Sequence, residues 1–548
     1  MNHSTSRFNH LRMVKFHQLT LPDSAYRDRT PWRRKANLSG LCDVHSLGAV
    51  NRFIFSVMQS SGLEIKVNRR SFLRSSAIAG IVPALRHPSV DAQVIAPNSA
   101  MTTLSGYMSG ADRRELPTEV IEHTKQHIVD TLAAMISGSE LGPGQAALRY
   151  VQGHAGKGAN SIAGSQLTAG PVDAALANGV MAHADETDDS HAGSRSHPGC
   201  AVVPAALAVG EHLGIDGSRF IRAVTLGYDI GTRVTVAMGG VAFYSQSHQS
   251  THAIAGVFGA AATAGCAAAL DAQQMRWLLD YTAQQSSGIA AWRRDVDHVE
   301  KAFVFGGMPA RSGVTSALLV KSGWNGVDDI FSGAHNFFLA YAPAGDPAQL
   351  VDRLGERYEI TQTDIKKWTV GSPIQGPLDA VEIIRGRHPF EADQVDRVVV
   401  RLAPAVATVV DNRDIPDICL QHMIAVMLLD KTVSFKAAHD KPRMQNASAL
   451  RQRAKVQLVH DEALNQHLPV RVAVVEVLLT DGTRLTERVD TVRGSPRNPM
   501  SRAEIIDKCK DLVAPILGTT KCTRLIETVF AIEKLTDMRQ LGPLLKSG

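Results

Sequence analysis

Helical spacing of apolar side chains runs through the chain from Leu116 to about Leu350. Ile121, Ile128 and Leu132 fall on one face of a first helix. The same pattern predicts further helices at Asp173–Ala184, at Ala201–Leu213, from a cap at Ser218 towards Met238, at Ala253–Leu270 and at Ala272–Gln284. In Ala253–Leu270, 12 of 18 residues are Ala or Gly, which favours helices packed very closely.

The pattern changes after about residue 350. Arg397–Leu402 and Val470–Leu479 are rich in β-branched residues, and Asp481-Gly482 before Arg484–Val489 indicates a hairpin. Ser501–Ile516 returns to helical spacing. The fold class is therefore mainly α. We predict a large all-α domain over 93–350, a smaller α+β domain over 351–493, and C-terminal helices over 494–548 that return to the helical domain.

Positive charge is concentrated at the N-terminus. Residues 1–92 hold 14 of the 58 Lys and Arg but only 5 of the 53 Asp and Glu. The remaining chain is mildly acidic and has no basic patch that would suit nucleic acid. No nucleic-acid partner is expected.

The basic N-terminus has the order of an export signal. Arg69-Arg70 is followed by Phe72-Leu73, an uncharged stretch to Leu85, and small residues ending at Ala92. This order predicts a twin-arginine signal over 58–92 and a periplasmic location. Residues 1–57 resemble no export signal and are interpreted as upstream translated sequence.

Cysteine spacing and hydropathy exclude several classes of protein. None of the six cysteines forms a CxxC pair, so neither a disulfide framework nor a zinc finger is predicted. The apolar run Ala253–Leu270 is too weakly hydrophobic for a membrane span, so no stable span is expected after signal removal.

A run of titratable residues separates two predicted helices. His183 to His191 contains four carboxylates within five residues, and His197-Pro198-Gly199 follows. Crowded carboxylates raise one another's pKa, and a carboxylate beside a histidine suits proton transfer. A solvated acidic turn and a metal site are the alternatives, although the run has no HExxH or DxDxDG spacing.

These residues also resemble a known family. The MmgE/PrpD family has a signature of the form NG…H…DFDDT…HPG…PAALA. The matching residues are Asn178-Gly179, His183, Asp188-Asp189-Ser190, His197-Pro198-Gly199 and Pro204–Leu207. Further similar segments are Gly256–Ala261, Glu300-Lys301, Lys366-Lys367-Trp368 and Leu420-Gln421-His422.

The resemblance implies a fold and a kind of chemistry. The family has a large all-α domain with a smaller α+β lid, and its active site lies between them. Its members act on small di- or tricarboxylates without a metal or organic cofactor. They include 2-methylcitrate dehydratase, cis-aconitate decarboxylase and an iminodisuccinate epimerase. The reactions share a carbanion next to a carboxylate. A homodimer is expected.

The resemblance also implies roles for individual residues. Asp188, Asp189, His197, His252 and Lys301 are the predicted catalytic residues, with His197 or His252 as the proton acceptor. Glu186, Ser190, Lys366 and His422 are the predicted substrate-binding residues. His422 stands where the family has Tyr, which predicts a group that titrates near neutrality. His252 lies two residues out of register with the family's His-Pro-Thr.

The sequence therefore predicts a cofactor-independent lyase acting on a small carboxylate. Dehydration of a hydroxy acid of the 2-methylcitrate type is the leading reaction. Decarboxylation or epimerisation of a related polycarboxylate is an alternative, and so is an exported carboxylate-binding protein that has lost catalysis.

Overall fold

A computed structural model describes residues 99–548, which form a mainly helical protein. The predictions for 1–57 and for the signal at 58–92 lie outside the described residues. The first helices are α1 Ala100–Ser109, α2 Thr118–Gly138, α3 Gly142–His154, α4 Pro171–Ala182, α5 Gly199–Leu213, α6 Gly217–Ala237, α7 Gly240–Gln246, α8 Thr251–Ala267, α9 Ala272–Gln284, α10 Val299–Ala302 and α11 Met308–Lys321. The later helices are α12 Phe337–Tyr341, α13 Ser372–Arg387, α14 Pro404–Val410, α15 Leu420–Asp430, α16 Phe435–Ala438, α17 Ala447–Arg453, α18 Arg502–Leu517, α19 Thr519–Phe530 and α20 Gly542–Leu545.

The helices predicted from apolar spacing are confirmed as α2, α4, α5, α6, α8, α9 and α18, with shifts of a few residues at their ends. The predicted cap of α6 is wrong. Asp216 Oδ1, not Ser218, accepts a hydrogen bond from Arg219 N at 2.8 Å. Asp216 precedes the first turn, so its side chain can accept from the otherwise free N–H of the third helical residue, whereas Ser218 already lies inside the helix. The helix therefore begins at Gly217.

The strands form two small sheets. They are β1 Asn160–Ser161, β2 Thr168–Ala169, β3 Val395–Leu402, β4 Val456–His460, β5 Ala473–Leu479 and β6 Arg484–Val489. The larger sheet has the order β4-β3-β5-β6, with β3 parallel to β4 and the other pairs antiparallel. The predicted β5–β6 hairpin is confirmed. Strand β4 was not predicted, because it is an edge strand that buries little apolar surface.

Buried apolar residues fall into two groups. The first core combines residues 101–365 with residues 500–545, and the second core contains residues 368–489. Helix α18 joins the first core through Lys508, whose Nζ lies 2.6 Å from Asp130 Oδ1 and donates to Thr187 O at 3.0 Å. The chain therefore leaves the first core before the sheet and returns to it afterwards.

A π-helical turn at Phe303–Gly307 joins α10 and α11. The whole helical segment Val299–Lys321 is long and apolar enough to cross a membrane, but two-thirds of its most apolar window (67%) is buried inside the protein. Burial of this extent is typical of a core helix. A π-helical turn often lies at a functional site.

The π-helical turn packs directly on α4. A Cβ atom added at Gly306 would lie 2.0 Å from Gly179 O, and one added at Gly179 would lie 2.5 Å from Gly306 O. We expect Gly306→Ala to lower the free energy of unfolding by about 1–3 kcal/mol, because two backbones must separate. Thermal unfolding measures this. Gly386→Ala is the control, since a Cβ there meets nothing within 4 Å; equal midpoints for the two variants would contradict the prediction.

Candidate active site

The acidic run lies in the loop between α4 and α5 and is buried. The exposed fractions of Asp185, Glu186, Asp188 and Asp189 are 3%, 5%, 0% and 0%. A solvated acidic turn is therefore the wrong interpretation. Buried carboxylates need charged or hydrogen-bonding partners, and each of these four has its own.

Asp189 fastens the loop to the helices beneath it. Its Oδ1 accepts from Gly199 N at 3.0 Å, at the start of α5. Its Oδ2 accepts from the Tyr228 hydroxyl at 2.5 Å and lies 2.8 Å from His127 Nδ1. With these three contacts, Asp189 supports the loop from behind.

Asp188 lies between two histidines. Its Oδ2 lies 2.9 Å from His183 Nδ1, and its Oδ1 lies 3.2 Å from His197 Nδ1. Burial opposes ionisation, but His183, His197 and Lys366 together hold the pKa of Asp188 well below its ordinary value. Because an ionised carboxylate only accepts hydrogen bonds, both Nδ1 atoms must carry the hydrogen.

His197 is consequently a neutral base. Burial lowers its pKa to about 4, against the opposing attraction of Asp188. With the hydrogen on Nδ1, the Nε2 atom keeps its lone pair at neutral pH. The side chain is 11% exposed, whereas that of His183 is fully buried. His197 is therefore the member of the pair that a substrate can reach.

Two lysines approach the loop from different parts of the chain. Lys301, on α10, donates through Nζ to Glu186 Oε1. Lys366 Nζ donates to Glu186 O at 2.8 Å and lies 3.5 Å from Asp188 Oδ1. Burial opposes it, but Lys301 and Lys366 hold the pKa of Glu186 well below its ordinary value. The expectation that crowding raises the pKa of these carboxylates is therefore wrong for Asp188 and Glu186, because nearby cations and histidines outweigh the repulsion.

Ser190 brings Lys366 to this position. It forms an antiparallel bridge with Asp364, in which Ser190 N donates to Asp364 O at 3.0 Å and Asp364 N donates to Ser190 O at 2.8 Å. Lys366 follows two residues later. The backbone of Ser190 thus couples the loop to the segment that leads into the second core.

An aromatic wall faces the charged residues. The Phe305 ring stacks on His252 at 3.8 Å and on His183 at 4.5 Å between ring centroids. Trp292 meets the edge of Phe305 at 4.8 Å. Lys301 Nζ lies 5.3 Å from the Phe305 centroid, within cation–π range.

Several histidine nitrogens on this wall have no hydrogen-bond partner within residues 99–548: His183 Nε2, His252 Nδ1 and His298 Nε2. Burial lowers the pKa of His298 to about 3 and that of His252 well below its ordinary value, and nearby cations add to both shifts. Neutral, unpartnered nitrogens beside two lysines can accept hydrogen bonds from a hydroxyl or carboxylic acid. Such groups are typical of a binding site.

Asp185 connects the loop to His439, which belongs to the part of the chain that forms the second core. His439 Nε2 lies 2.9 Å from Asp185 Oδ2. Burial opposes it, but Asp185 raises the pKa of His439 to about 9, and His439 lowers that of Asp185. Asp417, close to this pair, has its pKa raised to about 7 by burial.

The His439 shift makes stability depend on pH. The folded pKa of about 9 exceeds the ordinary value of 6.5, so the stabilisation is complete below pH 6.5 and is lost as pH rises to about 9. Its loss costs at most about 3 kcal/mol. We expect His439→Gln to lower the thermal midpoint at pH 6 and to have a much smaller effect at pH 9.5. His460→Gln, at a side chain 42% exposed, is the control; a pH-independent effect of His439→Gln would refute the assignment.

His422 lies apart from these residues. The charged groups around it are Arg453, Arg443 and Asp440, and its two ring nitrogens have no partner among the described residues. Burial lowers its pKa to about 4, with Arg453 contributing. The expectation that it titrates near neutrality is therefore wrong. A role in substrate binding stays a prediction that no contact supports.

Two donor groups have spacing that a metal ion could use: His183, Glu186 and His298, and His183, Asp188 and Cys200. The lysines work against this use, because Lys301 and Lys366 already neutralise the carboxylates. Burial also raises the pKa of the Cys200 thiol well above its ordinary value, so it is not the thiolate that metals prefer. The donor set therefore fits a resident metal poorly.

The chain matches two family models. The model for the MmgE/PrpD N-terminal domain matches residues 102–350, and the model for the MmgE/PrpD C-terminal domain matches residues 368–534. The chain belongs to the MmgE/PrpD family. The residues of the buried loop, Lys301 and Lys366 all lie within this matched region or immediately before its second part.

Curated relatives share most of this length. The chain is 24% identical over 465 residues to a cis-aconitate decarboxylase of Aspergillus terreus, covering 79% of this chain and 92% of that protein. It is 23% identical over 465 residues to a cis-aconitate decarboxylase-like protein of Aspergillus oryzae, covering 79% and 94%. It is 24% identical over 484 residues to the cis-aconitate decarboxylase of Mus musculus, covering 82% and 93%. These family relatives are lyases by name.

Of the predicted residues, the structure brings together Glu186, Asp188, His197, Lys301 and Lys366. His252 joins them through Phe305, and Asp189 and Ser190 support the loop. The sequence analysis missed the aromatic wall, His298 and His439. His298 and Phe305 lie within four residues of Lys301, so the neighbourhood of that lysine was the available signal.

Proposed function

We propose that this chain is a lyase that acts on a small tricarboxylate through a carbanion next to a carboxylate, and that it eliminates water from a hydroxy acid of the 2-methylcitrate type. One observation carries this proposal. Ionised Asp188 holds the Nδ1 hydrogen of His197, which leaves a neutral and partly exposed Nε2. A base in this state can remove a proton from carbon.

Each step of the elimination has a candidate group. His197 takes the proton next to a substrate carboxylate, and negative charge develops on that carboxylate. Lys301 and Lys366 lie nearby on the Glu186 side and would stabilise this charge. The carbon–oxygen bond then breaks, and the hydroxide leaves with a proton. A lysine ammonium is a suitable donor of that proton.

Decarboxylation is the second candidate, favoured by the names of the relatives and by the aromatic wall. Here the bond to one carboxylate breaks, carbon dioxide leaves, and the resulting carbanion takes a proton. Phe305 and Trp292 would surround the departing carboxylate with apolar surface. A charged carboxylate is disfavoured there relative to neutral carbon dioxide.

Entry of a substrate requires the site to open. The side chains of Glu186, Asp188 and Lys366 are at most 6% exposed. Lys366 and His439 reach the loop from the part of the chain around the second core. We therefore propose that the second core acts as a lid, whose opening separates these contacts.

Proton NMR tests the proposal and separates the two reactions. The protein is incubated with 2-methylcitrate and, separately, with cis-aconitate, each with and without EDTA. A methyl doublet of 2-methylcitrate that becomes a singlet at lower field supports dehydration at the methyl-bearing carbon, and a new olefinic signal supports dehydration at the other neighbouring carbon. Loss of carbon dioxide from cis-aconitate, with new methylene signals, supports decarboxylation. Turnover of neither would reject both, and activity that disappears with EDTA and returns with a divalent ion would reject the metal-free site.

A further inference from the structure

Two arginines close to the proposed site are Arg195 and Arg471. Neither has a carboxylate within ion-pair distance among residues 99–548. The Arg195 guanidinium lies 5.7 Å from the Tyr244 ring centroid, and its Nε is buried with no hydrogen-bond partner. Burial and the nearby Arg471 lower the pKa of Arg195 to about 10. Two like charges held together in this way favour the binding of an anion.

The backbone fixes Arg195 next to the base. Arg195 has φ +51°, in the left-handed region that a non-glycine residue adopts only at a cost in free energy. Its carbonyl oxygen accepts a hydrogen bond from Thr251 Oγ1 at 2.7 Å. Thr251 directly precedes His252, and Arg195 is two residues before His197. The backbone of Arg195 is therefore fixed beside His197 and His252.

Arg471 comes from the second core. It lies two residues before the strand β5. The charged or ionisable groups near it are Asp364, Tyr244 and Glu186. Burial raises the pKa of Asp364 to about 6, so this carboxylate is still mostly ionised at neutral pH and attracts Arg471. Glu186 is already paired with Lys301 and Lys366. Neither carboxylate lies within ion-pair distance of Arg471, so its guanidinium can take a further anion.

We propose that Arg195 and Arg471 bind a substrate carboxylate remote from the bond that breaks, and so select a tricarboxylate over a dicarboxylate. This inference rests on the proposed function. It concerns the substrate carboxylate that Lys301 and Lys366 do not bind. A guanidinium presents two N–H groups in the plane of a carboxylate, which a lysine cannot do. Because Arg195 lies in the loop and Arg471 in the second core, one carboxylate bound by both would connect the loop to the second core.

The test is calorimetric titration with two unreactive probes, tricarballylate and glutarate, on the full protein. We expect wild type to bind tricarballylate more tightly. Arg195→Gln and Arg471→Gln should each weaken tricarballylate binding by about 10- to 100-fold, with little effect on glutarate, and Arg195→Lys should recover part of the loss. Arg488→Gln, at a side chain 43% exposed on β6, is the control, and thermal midpoints check folding.

Three outcomes would overturn this inference: equal weakening for both probes, unchanged tricarballylate affinity in both glutamine variants, or no binding of tricarballylate to wild type. Its failure is separable from that of the proposed function. If the protein turns over a carboxylate but the arginine variants bind tricarballylate normally, the arginine subsite alone is rejected. Arginine-dependent binding of tricarballylate without turnover of any substrate rejects the lyase alone.

Discussion

Replacement of His197 by alanine is expected to lower kcat by about 10²- to 10⁴-fold, which is the usual contribution of a positioned general base. The base is removed, while the fold loses little, because His197 lies in the loop before α5, where its ring pairs with Asp188 and meets the Phe305 ring at 5.5 Å between centroids. Steady-state kinetics on the substrate identified by NMR measure the change.

The matched control is His154→Ala, at an exposed histidine of α3. It should leave kcat within about twofold, since exposed substitutions rarely have large effects. An unchanged kcat in His197→Ala, with folding intact, would remove His197 from the mechanism. His252, 5.4 Å from His197 between ring centroids, would then become the candidate base.

Asp188→Asn should lower kcat by a similar factor, about 10²- to 10⁴-fold, although Asp188 need not touch the substrate. An amide can donate as well as accept, so the tautomer of His197 is no longer fixed. The variant also leaves Lys366, whose Nζ lies 3.5 Å from Asp188 Oδ1, without one of its counter-charges. Folding must be checked, because the residue is fully buried.

Asp189→Asn is the comparison that separates loss of a buried carboxylate in this loop from loss of the Asp188–His197 contact. Asp189 is equally buried, but it accepts hydrogen bonds from Gly199 and Tyr228 and contacts neither His197 nor the lysines. We expect this variant to lower the thermal midpoint and to lower kcat by a much smaller factor than Asp188→Asn does. If Asp189→Asn and Asp188→Asn lowered kcat equally at equal stability, the special role of Asp188 would be contradicted.

Local sequence signals were sufficient for most of the helices. Ala272–Gln284 was predicted from its spacing with its observed bounds, and the structure adds a capping box of Asp271 and Gln274 at its start. The acidic run was found for a similar reason. Its charges are adjacent in sequence and lie between two apolar helices, so a proton-transfer site was predicted there before the family resemblance was considered.

The remaining contacts depend on residues far apart in the chain. His439 pairs with Asp185 across 254 positions, and Arg471 lies near Arg195 although the two are far apart in the sequence. No local spacing predicts such pairs. The pKa of His422 could not be predicted either, because it depends on burial and on the charges of Arg453 and Arg443, which lie later in the chain.

The central claim is that Asp188 acts through His197 as one unit, and a double-variant cycle tests it most directly. The measurement is kcat for Asp188→Asn, His197→Ala and the double variant on one substrate. If the residues act together, their effects are strongly non-additive, and the double variant is at most about threefold slower than His197→Ala alone. Losses that multiply, or no loss in either single variant, would contradict the account.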